Sequence, residues 1–112
     1  MEISESLGPV SILSVKGNLD SNTFIQLMDR ADGVLSKGHA NLILDLQGVN
    51  YLSSGGLVAL QTITGRAVGA GGKAVLCSLA PRVAEVIQAT GLEKVLTSFP
   101  DLAAAQASFV KK

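Results

Sequence analysis

Two consecutive serines, Ser53 and Ser54, precede two consecutive glycines, Gly55 and Gly56, at the end of the segment Asp45-Leu46-Gln47-Gly48-Val49-Asn50-Tyr51-Leu52. The segment leads from a short apolar run directly into an amphipathic one, which places the serines at a helix N-terminus. With Ser53 as the N-cap, Leu52 and Leu57 occupy the two positions of a hydrophobic staple. Ser54 is then the first helical residue, with its hydroxyl directed outward. Gly55 and Gly56 leave that helix end without side-chain cover, so another surface can approach closely. The chemistry open to an outward hydroxyl at this place is phosphorylation. A phosphate is favoured there by the helix macrodipole, so it would change an exposed surface and leave the fold intact. Capping alone is the competing reading for both serines, since serine is common at helix starts for that reason.

Little else in the chain offers chemistry. His39 is the only histidine and Cys77 the only cysteine, which removes disulfide frameworks, cysteine zinc clusters and most nucleophile–base pairs. Gly69-Ala70-Gly71-Gly72 follows a helical stretch and lacks the Gly-Lys-Ser/Thr of a phosphate loop, so it reads as a helix stop. The serine pair lacks the Gly-x-Ser-x-Gly elbow of hydrolases. We expect no enzyme activity, no cofactor and no metal. Nine Lys plus Arg balance nine Asp plus Glu, aromatic residues are 4% and Trp is absent, which argues against a nucleic-acid partner. The start Met1-Glu2-Ile3-Ser4-Glu5 lacks the features of a signal peptide. No run approaches the ~18–20 apolar residues of a membrane span, so a soluble, cytoplasmic protein without membrane insertion is expected. His39 reads as a solvated loop residue and Cys77 as a buried, inert thiol. Asp45 reads as a carboxylate bonded to nearby backbone amides, and Lys111-Lys112 as a solvated end. Asp20 either caps the first helix or contacts a partner.

The elements that must position these residues follow from periodicity. Hydrophobic residues are 47% of the 112, enough for one domain over residues 1–112. A strand around Ile3 and a strand over Val10–Val15 flank Gly8-Pro9, a hairpin signal. Phe24, Leu27, Met28, Ala31, Val34 and Leu35 recur at helical spacing, with Ser21 or Asn22 as cap and Gly38 after the end. Asn41 to Leu46 is a central strand and Gln47–Asn50 its turn. A helix from Ser53 to Val68 buries Leu57, Leu60, Thr64, Ala67 and Val68. Lys73–Cys77 is a strand, and Pro81 opens a helix whose apolar face is Val83, Val86, Ile87 and Thr90. Val95–Phe99 is a last strand, and a last helix carries Leu102, Ala105 and Phe109. The order β-β-α-β-α-β-α-β-α predicts an α/β domain with a mostly parallel sheet, an antiparallel edge hairpin at the N-terminus and about four helices.

In this order of elements the chain resembles the STAS domain family, of the type found in bacterial anti-sigma factor antagonists. The family pattern has an Asp-Leu strand end, an aromatic and an aliphatic residue, and then Asp-Ser-Ser-Gly-Leu or Asp-Ser-Ala-Gly-Leu opening a helix. Asp45, Leu46, Tyr51, Leu52, Ser54, Gly56 and Leu57 stand at the matching places. Gly17-Asn18-Leu19-Asp20 matches an earlier Gly-x-Leu/Ile-Asp signature, and Thr90-Gly91-Leu92 a later Gly-Leu. The resemblance implies a binding protein whose partner is an anti-sigma factor doubling as a serine kinase of the histidine-kinase-like ATPase type. It implies Ser54 as phosphoacceptor, with Asp20, Ser53, Ser54, Gly55, Gly56 and Leu57 on the docking rim and a serine phosphatase as a further partner. Two positions depart from the pattern: Ser53 replaces the motif Asp, and Gly55 replaces Ser or Ala. Ser53 thereby becomes the second candidate acceptor. The alternative implied is a phosphorylation-independent STAS adaptor, in a lipid-transport ATPase or a signalling scaffold. Nothing in the pattern sets the oligomeric state.

Overall fold

The apolar runs and amphipathic stretches resolve into β1 (Glu2–Ser6), β2 (Ser11–Lys16), α1 (Phe24–Ser36), β3 (Asn41–Gly48), α2 (Ser54–Gly69), β4 (Lys73–Cys77), α3 (Pro81–Ala89), β5 (Ser98–Phe99) and α4 (Leu102–Ala107). This computed structural model describes residues 1–109, and the reading of Lys111-Lys112 as a solvated end lies outside the described residues. The strands form one sheet in the order β1-β2-β3-β4-β5. β1 runs antiparallel to β2, and the remaining neighbours are parallel. The expected α/β architecture and its edge hairpin are therefore present.

Alternation along the strands divides the core in two. Leu13, Val15, Leu42, Leu44, Leu46 and Leu76 face α1, α2 and α3, where they pack with Leu27, Leu60, Ile63 and Ile87. Ile43, Val75 and Cys77 face the other way, under Ala105 of α4 with Phe99 and Leu102. β3 and β4 are covered on both sides, which is why their sequences read as nearly unbroken apolar runs. Among the described residues no helix is long and apolar enough to cross a membrane.

Several expected boundaries shift. β3 continues through Gln47 to Gly48, because Gly48 still pairs with Lys16 after a register irregularity. A Cβ at Gly48 would meet Lys16 Cγ at 2.6 Å and the Val15 carbonyl oxygen at 2.9 Å, so glycine there lets the two strands stay paired. In α2 the buried face centres on Leu60 and Ala67, with Ile63 in the core. Val68 lies roughly 80° around the helix from Leu60 and is 62% exposed. Thr64 sits at the edge, its hydroxyl donating to the Leu60 carbonyl at 2.9 Å. Thr90 is not on the buried face of α3: it follows the helix, exposed, and its hydroxyl donates back to Ile87 O at 2.9 Å. The last strand is only Ser98–Phe99, since Leu92–Lys94 forms a 3-10 turn closed by Val95 N donating to Leu92 O at 2.9 Å. That turn buries Leu96 and exposes Val95.

His39 is more than a solvated residue. Its Nδ1 donates to the Gly8 carbonyl at 3.1 Å and ties the β1–β2 turn to the segment after α1. Cys77 is buried, and burial pushes its thiol pKa up, as suits an inert side chain. On the surface, Arg30 Nε donates to Glu5 Oε1 at 2.7 Å, joining α1 to the edge strand. The Arg30 hydrogen bond holds the Glu5 pKa below its ordinary value. A lowered carboxylate pKa adds stability above the unfolded-state value, and that increment is lost as pH falls through the folded value. Glu5 is exposed, so the increment is small. Acid unfolding followed by circular dichroism should show wild type and Glu5→Gln converging once the wild-type Glu5 carboxyl is neutral in both the folded and unfolded states, with wild type the more stable only above that range.

Candidate functional site

The residues singled out at the start of α2 and those after β2 come together at one end of the sheet. Leu19 and Leu52 form an isolated parallel bridge. Leu19 N donates to the Tyr51 carbonyl at 2.9 Å, and Ser53 N donates to the Leu19 carbonyl at 3.0 Å. The Gly17–Asp20 and Tyr51–Leu57 segments, far apart in the chain, are thus zipped backbone to backbone. Leu19 is fully buried and anchors this zipper in the core.

Ser53 takes the extended conformation of an N-cap, and its Oγ accepts from Gly56 N at 3.3 Å. Leu52 and Leu57, at 4% and 7% exposure, are the buried pair flanking it, as the staple requires. Ser54 is the first residue of α2 and is exposed. The first turn of α2 contains no acidic residue, so this helix start is electrically neutral apart from its own dipole.

The glycines serve the chain itself. A Cβ on Gly56 would lie 2.5 Å from the Leu19 carbonyl oxygen and 2.7 Å from Leu52 Cδ1. One on Gly55 would lie 3.1 Å from Ser21 Cα. The surface that approaches this helix end closely is therefore the chain's own Leu19–Ser21 backbone. Gly56 and Leu57 are buried beneath the rim, while Ser54 stands on it and Ser53 and Gly55 are half-exposed. Ser21, exposed and packed beside Gly55, is a site residue that sequence reasoning weighed only as a cap for α1. The doubled glycine was the signal that some backbone had to lie there.

Asp20, and not Ser21 or Asn22, holds the turn that leads into α1. Its Oδ1 accepts from Asn22 N at 2.9 Å and Thr23 N at 3.1 Å. Its carbonyl oxygen accepts from Phe24 N at 2.9 Å. α1 begins at Phe24, with Thr23 before it making no side-chain cap bond. Thr23 Oγ1 instead donates to the Asn18 carbonyl at 2.7 Å, which fixes the turn from below. Asp45 Oδ1 accepts from Gln47 N at 3.1 Å, the structural role expected of it. Among the described residues there is no group of three or more His, Cys, Asp or Glu able to hold a metal ion. What the site offers is the exposed Ser54 hydroxyl on a helix end held by the Leu19–Ser53 backbone bond.

The STAS domain family matches residues 2–105. The chain belongs to the STAS domain family. This STAS domain is 30% identical over 98 residues, 88% of its length and 84% of the relative's, to a Bordetella bronchiseptica protein, BtrV, named as an anti-sigma factor antagonist. Among solved structures it resembles an anti-sigma factor antagonist from Mycobacterium paratuberculosis, at 26% identity and a TM-score of 0.83, covering 96% of this chain and 93% of that one. It has the same fold as the anti-sigma factor antagonist SpoIIAA in its unphosphorylated form, at 15% identity and a TM-score of 0.78, over 99% of this chain and 100% of that one.

Proposed function

We propose that this STAS domain is an anti-sigma factor antagonist, with Ser54 as its switch and the start of α2 with Asp20 as its docking rim. The partner is an anti-sigma factor that is also a serine kinase of the histidine-kinase-like ATPase type. The relatives named for this role support the class. The observation that carries the choice of residue is the division of labour between the serines. Ser53 Oγ accepts the Gly56 amide hydrogen and holds the helix end, whereas Ser54 is exposed and makes no cap bond.

In the transfer, Ser54 Oγ attacks the γ-phosphorus of ATP, and the bond from that phosphorus to the β-bridging oxygen breaks. ADP leaves, and the hydroxyl proton passes to a base on the kinase. The product adds about −1.5 to −2 charges where the dipole of α2 favours an anion. The fold therefore survives, and the contact surface does not stay complementary. A serine phosphatase reverses the step by hydrolysing the phosphoserine.

The test is capture from the source organism's lysate with wild type and Ser54→Asp, followed by titration against the purified kinase. Wild type should recover the kinase, and Ser54→Asp should bind it about a hundredfold more weakly, ~2.8 kcal/mol. The specific observation favouring the phosphorylation-independent adaptor is the neutral Ser53 cap in place of the motif Asp. Recovery of the same transporter or scaffold proteins by both chains would support that reading and refute the switch.

A further inference from the structure

α4 is the shortest of the described α-helices, and of its 6 residues only Ala105 is buried. A helix of that length is marginal on its own, and an alanine side chain adds little apolar area. What α4 covers is larger than what it contributes. Beneath it Ile43, Val75 and Cys77 are buried in a cluster of their own, with Phe99, Leu102 and Phe109 packed around them. The main core lies on the other face of the sheet, where α1, α2 and α3 place Leu27, Leu60, Ile63 and Ile87.

Polar contacts at its two ends hold α4 down. At its start Asp101 Oδ1 accepts from Ala104 N at 2.8 Å. Beyond its end Lys73, the first residue of β4, donates from Nζ to the Ser108 carbonyl at 3.1 Å. The same Nζ lies 4.6 Å from the centroid of the Phe109 ring. Both hydrogen bonds are exposed, and exposed contacts of this kind contribute little each. β5 is anchored separately, by Leu76 N donating to Thr97 O at 2.8 Å and Ser78 N donating to Phe99 O at 3.1 Å. Between β5 and Asp101 stands Pro100, exposed and without an amide hydrogen to tie it to the sheet.

We propose that residues 101–109 form a strap, latched by Lys73 and hinged at Pro100, which opens as a unit while the sheet and the other helices stay folded. Opening uncovers Ile43 and Val75, whose burial keeps the closed form dominant. It also brings Cys77, fully buried and the only cysteine in the chain, into contact with solvent. Since α2 packs on the opposite face, the strap is a second two-state element, separate from the start of α2 and from any change at Ser54. Low local stability at such an element is what sub-global opening requires.

The test is labelling of Cys77 in the folded chain with methyl methanethiosulfonate, read by mass spectrometry at guanidinium concentrations below the unfolding transition. Wild type should label faster than its global unfolding equilibrium allows. Its rate should be nearly flat in guanidinium, because strap opening exposes little surface. Lys73→Gln should label about tenfold faster, through loss of both the Ser108 bond and the cation over Phe109. Should that change disturb β4, Asp101→Ala releases the other end and should label about fivefold faster. Val34→Ala, in the main core under α1, should lower the unfolding midpoint and leave the labelling rate in water unchanged, since closed and open forms share that core. A wild-type rate that rises with guanidinium as steeply as global unfolding overturns the strap, as does a Val34→Ala rate that rises in step with its lost stability. Wild-type labelling rates in folded Lys73→Gln and Asp101→Ala overturn it too.

Discussion

Replacing Gly56 with valine should remove a large share of the native stability. A Cβ at this position would lie 2.5 Å from the Leu19 carbonyl oxygen, 2.7 Å from Leu52 Cδ1 and 3.0 Å from Leu19 Cγ. None of these atoms can give way cheaply. The Leu19 carbonyl is held by the Ser53 amide at 3.0 Å, and both leucine side chains lie in the core. Overpacking a tight core site typically costs ~1–3 kcal/mol, and forcing apart a hydrogen-bonded backbone adds to that. We expect ~3–5 kcal/mol for Gly56→Val, against a total of about 5–15 kcal/mol for a domain. Gly56→Ala should also destabilise, although glycine-to-alanine changes inside helices normally gain ~1 kcal/mol. Gly65, on the same helix with nothing within 4 Å of its Cβ position, is the internal control. Gly65→Ala should raise the guanidinium unfolding midpoint while Gly56→Ala lowers it. Equal behaviour at the two positions would show that the Leu19 backbone is not the obstruction.

The contrast between these glycines marks how far the sequence could be read. Features governed by neighbours in the chain were legible. Ser53 as cap, the Leu52–Leu57 pair, Asp45 bonded to Gln47 N and the whole of β4 follow from local spacing, and all stand in the structure. The alternation of strands and helices was likewise enough to assign a mostly parallel sheet. Features governed by distant partners were not legible. Gln47 and Gly48 look like turn residues until Lys16 is known to pair with Gly48. Val68 looks buried until the position of the sheet sets the orientation of α2. Val95 and Leu96 look like strand too, although there the overriding contact is local, both amides donating to Leu92 O. The two motif segments were each visible, but the zipper joining Leu19 to Leu52 is a long-range pairing that neither segment announces. Asp20 left two roles open because its carboxylate acts in a turn whose geometry Thr23 and Asn18 complete.

Leu19→Ala has the second large effect, because Leu19 belongs to both the core and the site. Its side chain is fully buried, and truncating a buried leucine costs ~2–5 kcal/mol through lost contacts and the cavity left behind. Ile25→Ala, at a residue 57% exposed on α1, should change stability by no more than about 0.5 kcal/mol. The bonds from Leu19 N and O to Tyr51 and Ser53 are backbone bonds and outlast the truncation. In Leu19→Ala the Ser53 amide should therefore remain protected from hydrogen exchange up to the reduced global stability, and not open separately. The pair with Gly56 separates the two ways in which Leu19 obstructs that position. Truncation removes the Cγ contact but leaves the carbonyl oxygen where it was. Leu19→Ala/Gly56→Ala should thus be less stable than Leu19→Ala alone, with coupling that relieves only part of the Gly56→Ala cost. If the double variant instead matches Leu19→Ala in unfolding midpoint, the obstruction is side chain alone. Glycine at position 56 would then serve packing, and the close approach of backbone that joins the two motif segments would not be what requires it.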